Sequence, residues 1–364
     1  MCSGGWFYDS GVSDPYSPTG PAPGARPEPS TSVPGSGVVP PEPGTPFDML
    51  ARTPAHRWWR PALTVPVFAA TAAVSLVVVT VLFAGTVLAA MPVRVLRVLM
   101  DPDLGPQRLL DPLWVLFFGF VVLVALLPPA VLAARWPQRR SPMGLFSVAG
   151  APRMRWFGAA LWRGLLVFGV TFGLGLLLGV LAGAPPAGDF PGWWAYSSIV
   201  LIAVLVVPLQ SATEEVVFRG LLLQTVNAWL RVPWPGIVLS SLVFLSGHGY
   251  TDPLVWGQLL LMAVVMCWLS IRTGGLEAAI ALHVSNNALS LVVGGLYGVP
   301  GLEQSGNYPL VQVLPLAVAV LVYAWLVDRE ATRRRVATVV GGRAPIHPLT
   351  LRPSRASRAE APLS

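Results

Sequence analysis

The 364-residue chain contains no lysine and only two cysteines, Cys2 and Cys267. The cysteines are far apart and one lies in an apolar run, which excludes a disulfide framework and a cysteine metal knuckle. Cys2 follows Met1 without the apolar run of a lipoprotein signal and reads as an incidental thiol. Charge is scarce as well: 11% of residues are charged, against about 25% in a soluble domain. With 54% hydrophobic residues and a mean hydropathy of +0.64, an ordinary cytosolic globular protein is excluded. The basic complement is 24 arginines against 17 acids, a net charge of +7. These arginines cluster in tails and short loops, as a polytopic membrane protein places them, so no nucleic-acid partner is expected.

What is present is a series of apolar stretches of about 20 residues, the length that crosses a hydrocarbon core. Spans are predicted near 62–90, 112–134, 156–183, 193–230, 235–250, 254–271, 275–298 and 308–327. The expected fold class is therefore all-α, a polytopic transmembrane helical bundle of about eight spans in the lipid bilayer. The fourth span is too long for one crossing, so a kink or tilt at Pro208 with one protruding end is expected. The fifth is short and depends on its neighbours. Residues 1–55 are rich in Pro, Gly and Ser and read as a disordered tail, because such a segment buries too little to offset its ordering entropy. The first long apolar stretch, near Pro61, is too long for the h-region of a cleavable signal peptide. The remaining divisions are N-terminal spans over 56–189, a core over 190–327 and a basic tail over 328–364. No internal repeat is visible.

Arginine counts orient the bundle. Arg26, Arg52, Arg57 and Arg60 precede the first span; Arg135, Arg139, Arg140, Arg153 and Arg155 lie between the second and third; eight arginines follow the last. The connections at 184–192, 251–253 and 299–307 have none. The positive-inside rule then puts both termini in the cytoplasm, in agreement with an even number of spans. Arg94, Arg97 and Arg108 in the 91–111 connection run against the pattern, accompanied by Asp101, Asp103 and Asp111. The all-arginine composition and Pro-rich tail suggest a bacterial inner-membrane protein.

Ionisable groups within spans cost at least ~2.5 kcal/mol at mid-bilayer and are retained for function. Arg163 is expected to snorkel to the interface, and Glu277 to sit as a carboxylate at a helix N-terminus. Glu214, Glu215, Arg219, His248, His283, Asn286 and Asn287 remain. Glu215 and Arg219 are four apart, with the acid first, the favourable orientation for an ion pair on one helical face. Glu214 points about 100° away, which frees it to act as a general base or a metal ligand. Phe244 and His248 share a face at i,i+4, as do His283 and Asn287. The tight segment Arg231–Gly236 makes spans four and five an antiparallel hairpin, so the acidic turn and His248 are able to meet. His283 is about eight residues from the Gly274-Gly275 turn, so the site is expected to open towards the cytosol.

The motifs E-E-x-x-x-R at 214–219, F-x-x-x-H at 244–248 and H-x-x-x-N at 283–287, in this order and in successive helices, resemble the CAAX protease and bacteriocin-processing (Abi) family of intramembrane proteases. The type II CAAX prenyl endopeptidases belong to it. The resemblance covers about 190–327 and implies Glu214, His248, His283 and Asn287 as the active-site set, supported by Glu215 and Arg219.

Two chemistries fit these side chains. Glu214, His248 and His283 are the ligand types of a catalytic zinc site with a fourth position for water. Alternatively, no metal is needed: Glu214 with His248 deprotonates water, and His283 with Asn287 stabilises the oxyanion. The metal-free route is favoured, since an amide is a natural oxyanion donor and an unusual ligand. The expected partner is a peptide or membrane-protein substrate; the sequence leaves its identity and the oligomeric state open. The rivals are a non-catalytic immunity or scaffold protein with the same fold and a proton-relay transporter. A transporter is expected to show paired repeats or broken half-helices.

Overall fold

The structure, a computed structural model, describes residues 37–101, 110–183, 187–301 and 308–344. The described residues form a helical bundle without strands, apart from isolated bridges. Seven helices are long and apolar enough to cross a membrane. They are α1 (Trp59–Ala90), α2 (Pro112–Arg135), α3 (Met154–Leu181), α4 (Trp193–Leu230), α6 (Pro253–Thr273), α7 (Glu277–Tyr297) and α8 (Leu310–Arg333); the shorter α5 is Pro233–Ser246. The eight expected segments are all present, but α5 has 14 residues and rises only about 21 Å. It ends at Ser246, before His248 and four residues short of the expected end at 250.

Helix starts follow from local chemistry. Asp111 and Asp252 each stand just before a proline and accept from the amides two and three residues on, at 2.7–3.2 Å. At the other end of α6, Gly274 adopts the left-handed conformation (φ 68°) that lets the chain turn into α7. In α4 the irregularity expected at Pro208 takes the form of a π-helical turn over Ile202–Val206. A proline leaves the carbonyl four residues earlier without its donor, and a π turn absorbs the mismatch. A second π-helical stretch, Val216–Leu223, begins immediately after Glu214-Glu215.

One face of the bundle gathers the segments that precede α1 and follow α8. Gly44 N donates to Val340 O and Val340 N to Thr45 O, at 2.8 and 2.9 Å. Arg153, just before α3, donates to Ala337 O and to Thr273 O at 2.9 Å each. Arg52 donates to Ala228 O at 2.7 Å near the end of α4. Both flanking segments therefore lie on one side, hereafter the tail face, as an even number of crossings requires. The short α5 carries the chain away from this face and α6 returns it.

The N-terminal tail was expected to be disordered to residue 55. Residues 1–36 lie outside the described residues, but 37–55 do not behave so: Phe47 and Asp48 are fully buried, and Asp48 Oδ2 accepts from Asn227 Nδ2 at 3.3 Å. Apolar anchors at Phe47 and Leu50 outweigh the Pro/Gly composition around them. Of the basic tail, residues 345–364 are likewise outside the described residues. The exception to the arginine pattern also has a structural reason. Arg94 and Arg97 sit on a short helix, Pro92–Met100, which leaves Val93, Leu96, Leu99 and Met100 exposed, the profile of a helix lying in a membrane interface.

The site-bearing helices are held by close packing of small residues, the usual basis of helix association in lipid. Ala160 and Gly164 of α3 pack on Ala281 and Ser285 of α7, where a Cβ on Gly164 would overlap Ser285 Oγ. Phe168, Phe244, Met262, Met266 and Tyr323 complete this core, and Tyr323 donates its hydroxyl to Ala278 O at 2.7 Å. The two other span-embedded charges are paired. Glu277 takes a two-pronged contact from Arg153 at 2.6–2.8 Å at the N-terminus of α7. Arg163 reaches back along its helix to Ala159 O at 2.7 Å and pairs with Glu330 at 2.8 Å, on a carboxylate shared with Arg333 and Arg334.

Candidate active site

Three helices meet at Glu215. On α4, Arg219 Nη1 donates to Glu215 Oε1 at 3.0 Å, and both side chains are completely buried. This is the expected i,i+4 pair, and it persists at the entry to the π-helical stretch. The guanidinium also donates through Nη2 to Ala263 O on α6 at 3.2 Å. Its carbon lies 4.6 Å from the centre of the Phe244 ring and 5.8 Å from that of Phe218, so two aromatic faces flank the cation. A lone guanidinium at this depth would be costly; here it has a carboxylate, a carbonyl and two aromatic faces.

The same Glu215 Oε1 accepts from His283 Nδ1 on α7 at 2.9 Å. His283 is 1% exposed. A carboxylate only accepts in this contact, so Nδ1 carries the proton and Nε2 is turned towards Glu214, whose Oε2 stands 3.6 Å away. Glu214 is 7% exposed, and its Oε2 is buried without a hydrogen-bond partner. The two neighbouring carboxylates thus have different positions: Glu215 is held through Oε1 by Arg219 and His283 while its Oε2 has no partner, and the Oε2 of Glu214 stands unpartnered beside an imidazole nitrogen.

His248 arrives from the end of α5. Although it follows the helix, its Nδ1 still reaches Phe244 O at 2.8 Å and its ring lies 4.4 Å from the Phe244 ring. The carbonyl only accepts, so Nδ1 again donates and Nε2 is left as an acceptor. Phe244 also meets His283 edge-on, at 5.8 Å between ring centres, and so separates the two histidines as a common floor. The electrostatic neighbours of His248 are Glu214, His283 and Arg219. Asn287 stands one turn beyond His283 on the same side of α7, half-buried, with its Oδ1 accepting from Asn286 Nδ2 at 2.9 Å. That leaves its own amide N–H groups to donate.

Glu214, Glu215, Arg219 and His283 are therefore in direct register, with His248 joined to them through Phe244 and Asn287 one turn along α7. The sequence pairs Glu215 with Arg219 but does not reveal that Glu215 also orients His283; a second buried acid next to the first was the available signal. The zinc alternative meets a geometric difficulty. Glu214 and His283 face each other, but among the described residues no three His, Cys, Asp or Glu side chains converge as a metal-holding group. The donors as arranged do not form the three-ligand site that catalytic zinc uses.

Residues 193–289, which contain all six side chains, match the family described as type II CAAX prenyl endopeptidase Rce1-like. The chain is also 28% identical over 186 residues to an uncharacterized 24.3 kDa protein of Escherichia coli, across 49% of this chain and 81% of that protein. No solved structure matches. With seven membrane-length apolar helices the chain is a multi-pass membrane protein, and its segment 193–289, which carries the acidic and histidine motifs, is similar to the Rce1-like type II CAAX prenyl endopeptidases.

Proposed function

We propose that the protein is an intramembrane endopeptidase in which Glu214 activates water to hydrolyse a peptide bond. The observation that supports this most is the buried, unpartnered Oε2 of Glu214 lying 3.6 Å from His283 Nε2. A water placed between Glu214 and His248 gives its proton to Glu214 Oε2 as its oxygen attacks the scissile carbonyl carbon. The Nε2 of His248, an acceptor because Nδ1 is committed to Phe244 O, accepts a hydrogen bond from the second O–H, which stays on the attacking oxygen, and fixes its direction. Negative charge develops on the carbonyl oxygen, where Asn287 donates from its amide. His283, held through Nδ1 by Glu215, stands beside it as the second group of the oxyanion site. Glu214 then returns the proton to the amide nitrogen, the C–N bond breaks, and a carboxylate and an amine leave.

The test is cleavage of a mixed peptide pool by the full chain in nanodiscs, read by mass spectrometry, against Glu214→Gln. Loss of new termini in the variant, with an unchanged thermal midpoint, is expected. Equal activity in both, or none in the wild type, refutes the reading and favours a scaffold.

A further inference from the structure

At the tail-face end of α1, five arginines and a histidine gather. Arg52, His56, Arg57 and Arg60 come from the approach to α1 and its first turn, Arg139 from the turn after α2, and Arg231 from the end of α4. They lie close enough to feel one another's charge: Arg52, Arg231, Arg60 and Arg57 act on His56, and Arg139 and Arg57 act on Arg60. Burial and then those four arginines push His56 below the ordinary imidazole range, so its ring stays neutral. The stretches 49–100, 112–188 and 216–251, which supply all six side chains, contain no Asp or Glu. Asp48, just before them, is fully buried and accepts from Asn227 through Oδ2.

Within this cluster runs a narrow cleft lined by Ala51, His56, Arg60, Pro61 and Gln138. Two of its polar groups are unsatisfied in complementary ways. Arg60 lies 5.3 Å from the centre of the Trp59 ring, and its Nε and Nη1 are buried without an acceptor. Gln138 is 4% exposed and donates Nε2 to the hydroxyls of Thr64 and Thr225, at 3.0 and 2.7 Å. Its Oε1 is buried without a donor. Buried polar atoms are normally hydrogen-bonded, so the cleft offers N–H groups to an anionic oxygen and an acceptor to a hydroxyl. Trp58, Trp59, Trp136, Trp229 and Trp234 stand exposed at the same end of the bundle, the residue type that marks headgroup depth in a bilayer.

We infer that this cleft binds one anionic phospholipid with a glycerol headgroup, of the phosphatidylglycerol class, from the leaflet on the tail face. The phosphodiester accepts from the free N–H groups of Arg60, whose planar fork suits phosphate, and Arg57 and Arg139 add to the positive field. A headgroup hydroxyl donates to Gln138 Oε1. The acyl chains continue along the exposed side of α1 that carries Trp59 and Leu63. The tryptophans favour a lipid over a soluble phosphate, because they set the cleft at the depth of lipid headgroups. The surrounding arginines disfavour a zwitterionic lipid, whose ammonium group they repel. A bias of arginine towards one face needs no cleft; the buried, complementary atoms of Arg60 and Gln138 are what make this a site. The inference is independent of the proteolytic reading.

The test is native mass spectrometry of the full chain in detergent, titrated with phosphatidylglycerol or with phosphatidylethanolamine of the same acyl chains. Wild type is expected to retain one phosphatidylglycerol in preference to phosphatidylethanolamine. Arg57→Gln/Arg60→Gln is expected to bind it roughly 25-fold more weakly, at about 5-fold per arginine removed. Gln138→Leu is expected to lose about 5-fold, one hydrogen bond's worth; unchanged affinity there overturns the glycerol assignment. Arg94→Gln/Arg97→Gln removes the same charge from the exposed helix Pro92–Met100 and is expected to leave binding unchanged. Thermal midpoints without added lipid check folding, and the exposed Arg57→Gln alone, with its 5-fold loss, serves if the double variant does not fold. Undiminished binding in the Arg57 and Arg60 variants, or an equal loss in the Arg94/Arg97 variant, overturns the inference. So does displacement of the lipid by millimolar inorganic phosphate, which would mark a site for a soluble anion.

Discussion

His283 donates Nδ1–H to Glu215 at 2.9 Å, and this bond turns the other imidazole nitrogen towards Glu214. Glu215 is thereby a positioning residue, and its second partner, Arg219, makes its removal costly in two ways.

Arg219→Ala leaves Glu215 buried with its charge uncompensated, and is expected to destabilise the protein by roughly 3–5 kcal/mol. The double variant Glu215→Leu/Arg219→Met replaces both ends of the pair and is expected to recover most of that loss while remaining inactive, because His283 has lost its anchor. Thermal unfolding in detergent together with peptide cleavage separates the two effects. An active double variant would show that Glu215 only neutralises Arg219.

Asn287→Ala removes one oxyanion donor without touching the Glu215–His283 bond. Turnover is expected to fall about 10²–10³-fold with KM nearly unchanged. A rise in KM at constant kcat would mean that Asn287 binds substrate rather than the transition state.

Chelator treatment and elemental analysis of active protein address the metal alternative. With Glu214 as base, cleavage is expected to survive chelation in protein without stoichiometric metal. Stoichiometric zinc whose removal and restoration switch cleavage off and on would replace this mechanism by a zinc-bound water, with His283 as a ligand oriented by Glu215.

Gly164→Ala places a Cβ against Ser285, 2.9 Å from its Cβ, and is expected to cost about 1–3 kcal/mol by overpacking α3 against α7. Adding Ser285→Gly removes both clashing atoms and should return the thermal midpoint towards wild type. No recovery would place the constraint in the Ala281 backbone instead.

Much of the architecture is legible from the chain because length and polarity are local properties. Runs such as those ending at Ala90 and Leu181 are too long and apolar for any solvent but lipid. The motifs at 214–219, 244–248 and 283–287 are legible for a similar reason: ionisable groups are rare enough in spans to stand out. The end of α5 is not legible in this way, since Gly247-His248-Gly249 continues an apolar run without a proline to stop it. Nor is the order at 43–53, where Phe47 and Leu50 find a surface on α4 that composition does not describe.

The sequence by itself determined the class of molecule and the Glu215–Arg219 pair, because each follows from composition or from spacing within one helix. Only the tertiary structure decided which carboxylate holds His283 and that Phe244 packs against both histidines. Those are relations between helices far apart in sequence, set by how closely Gly164, Ala281 and Ser285 let the backbones approach. A side chain's reach is a few ångströms, so a small change in helix separation or rotation changes which oxygen a nitrogen meets.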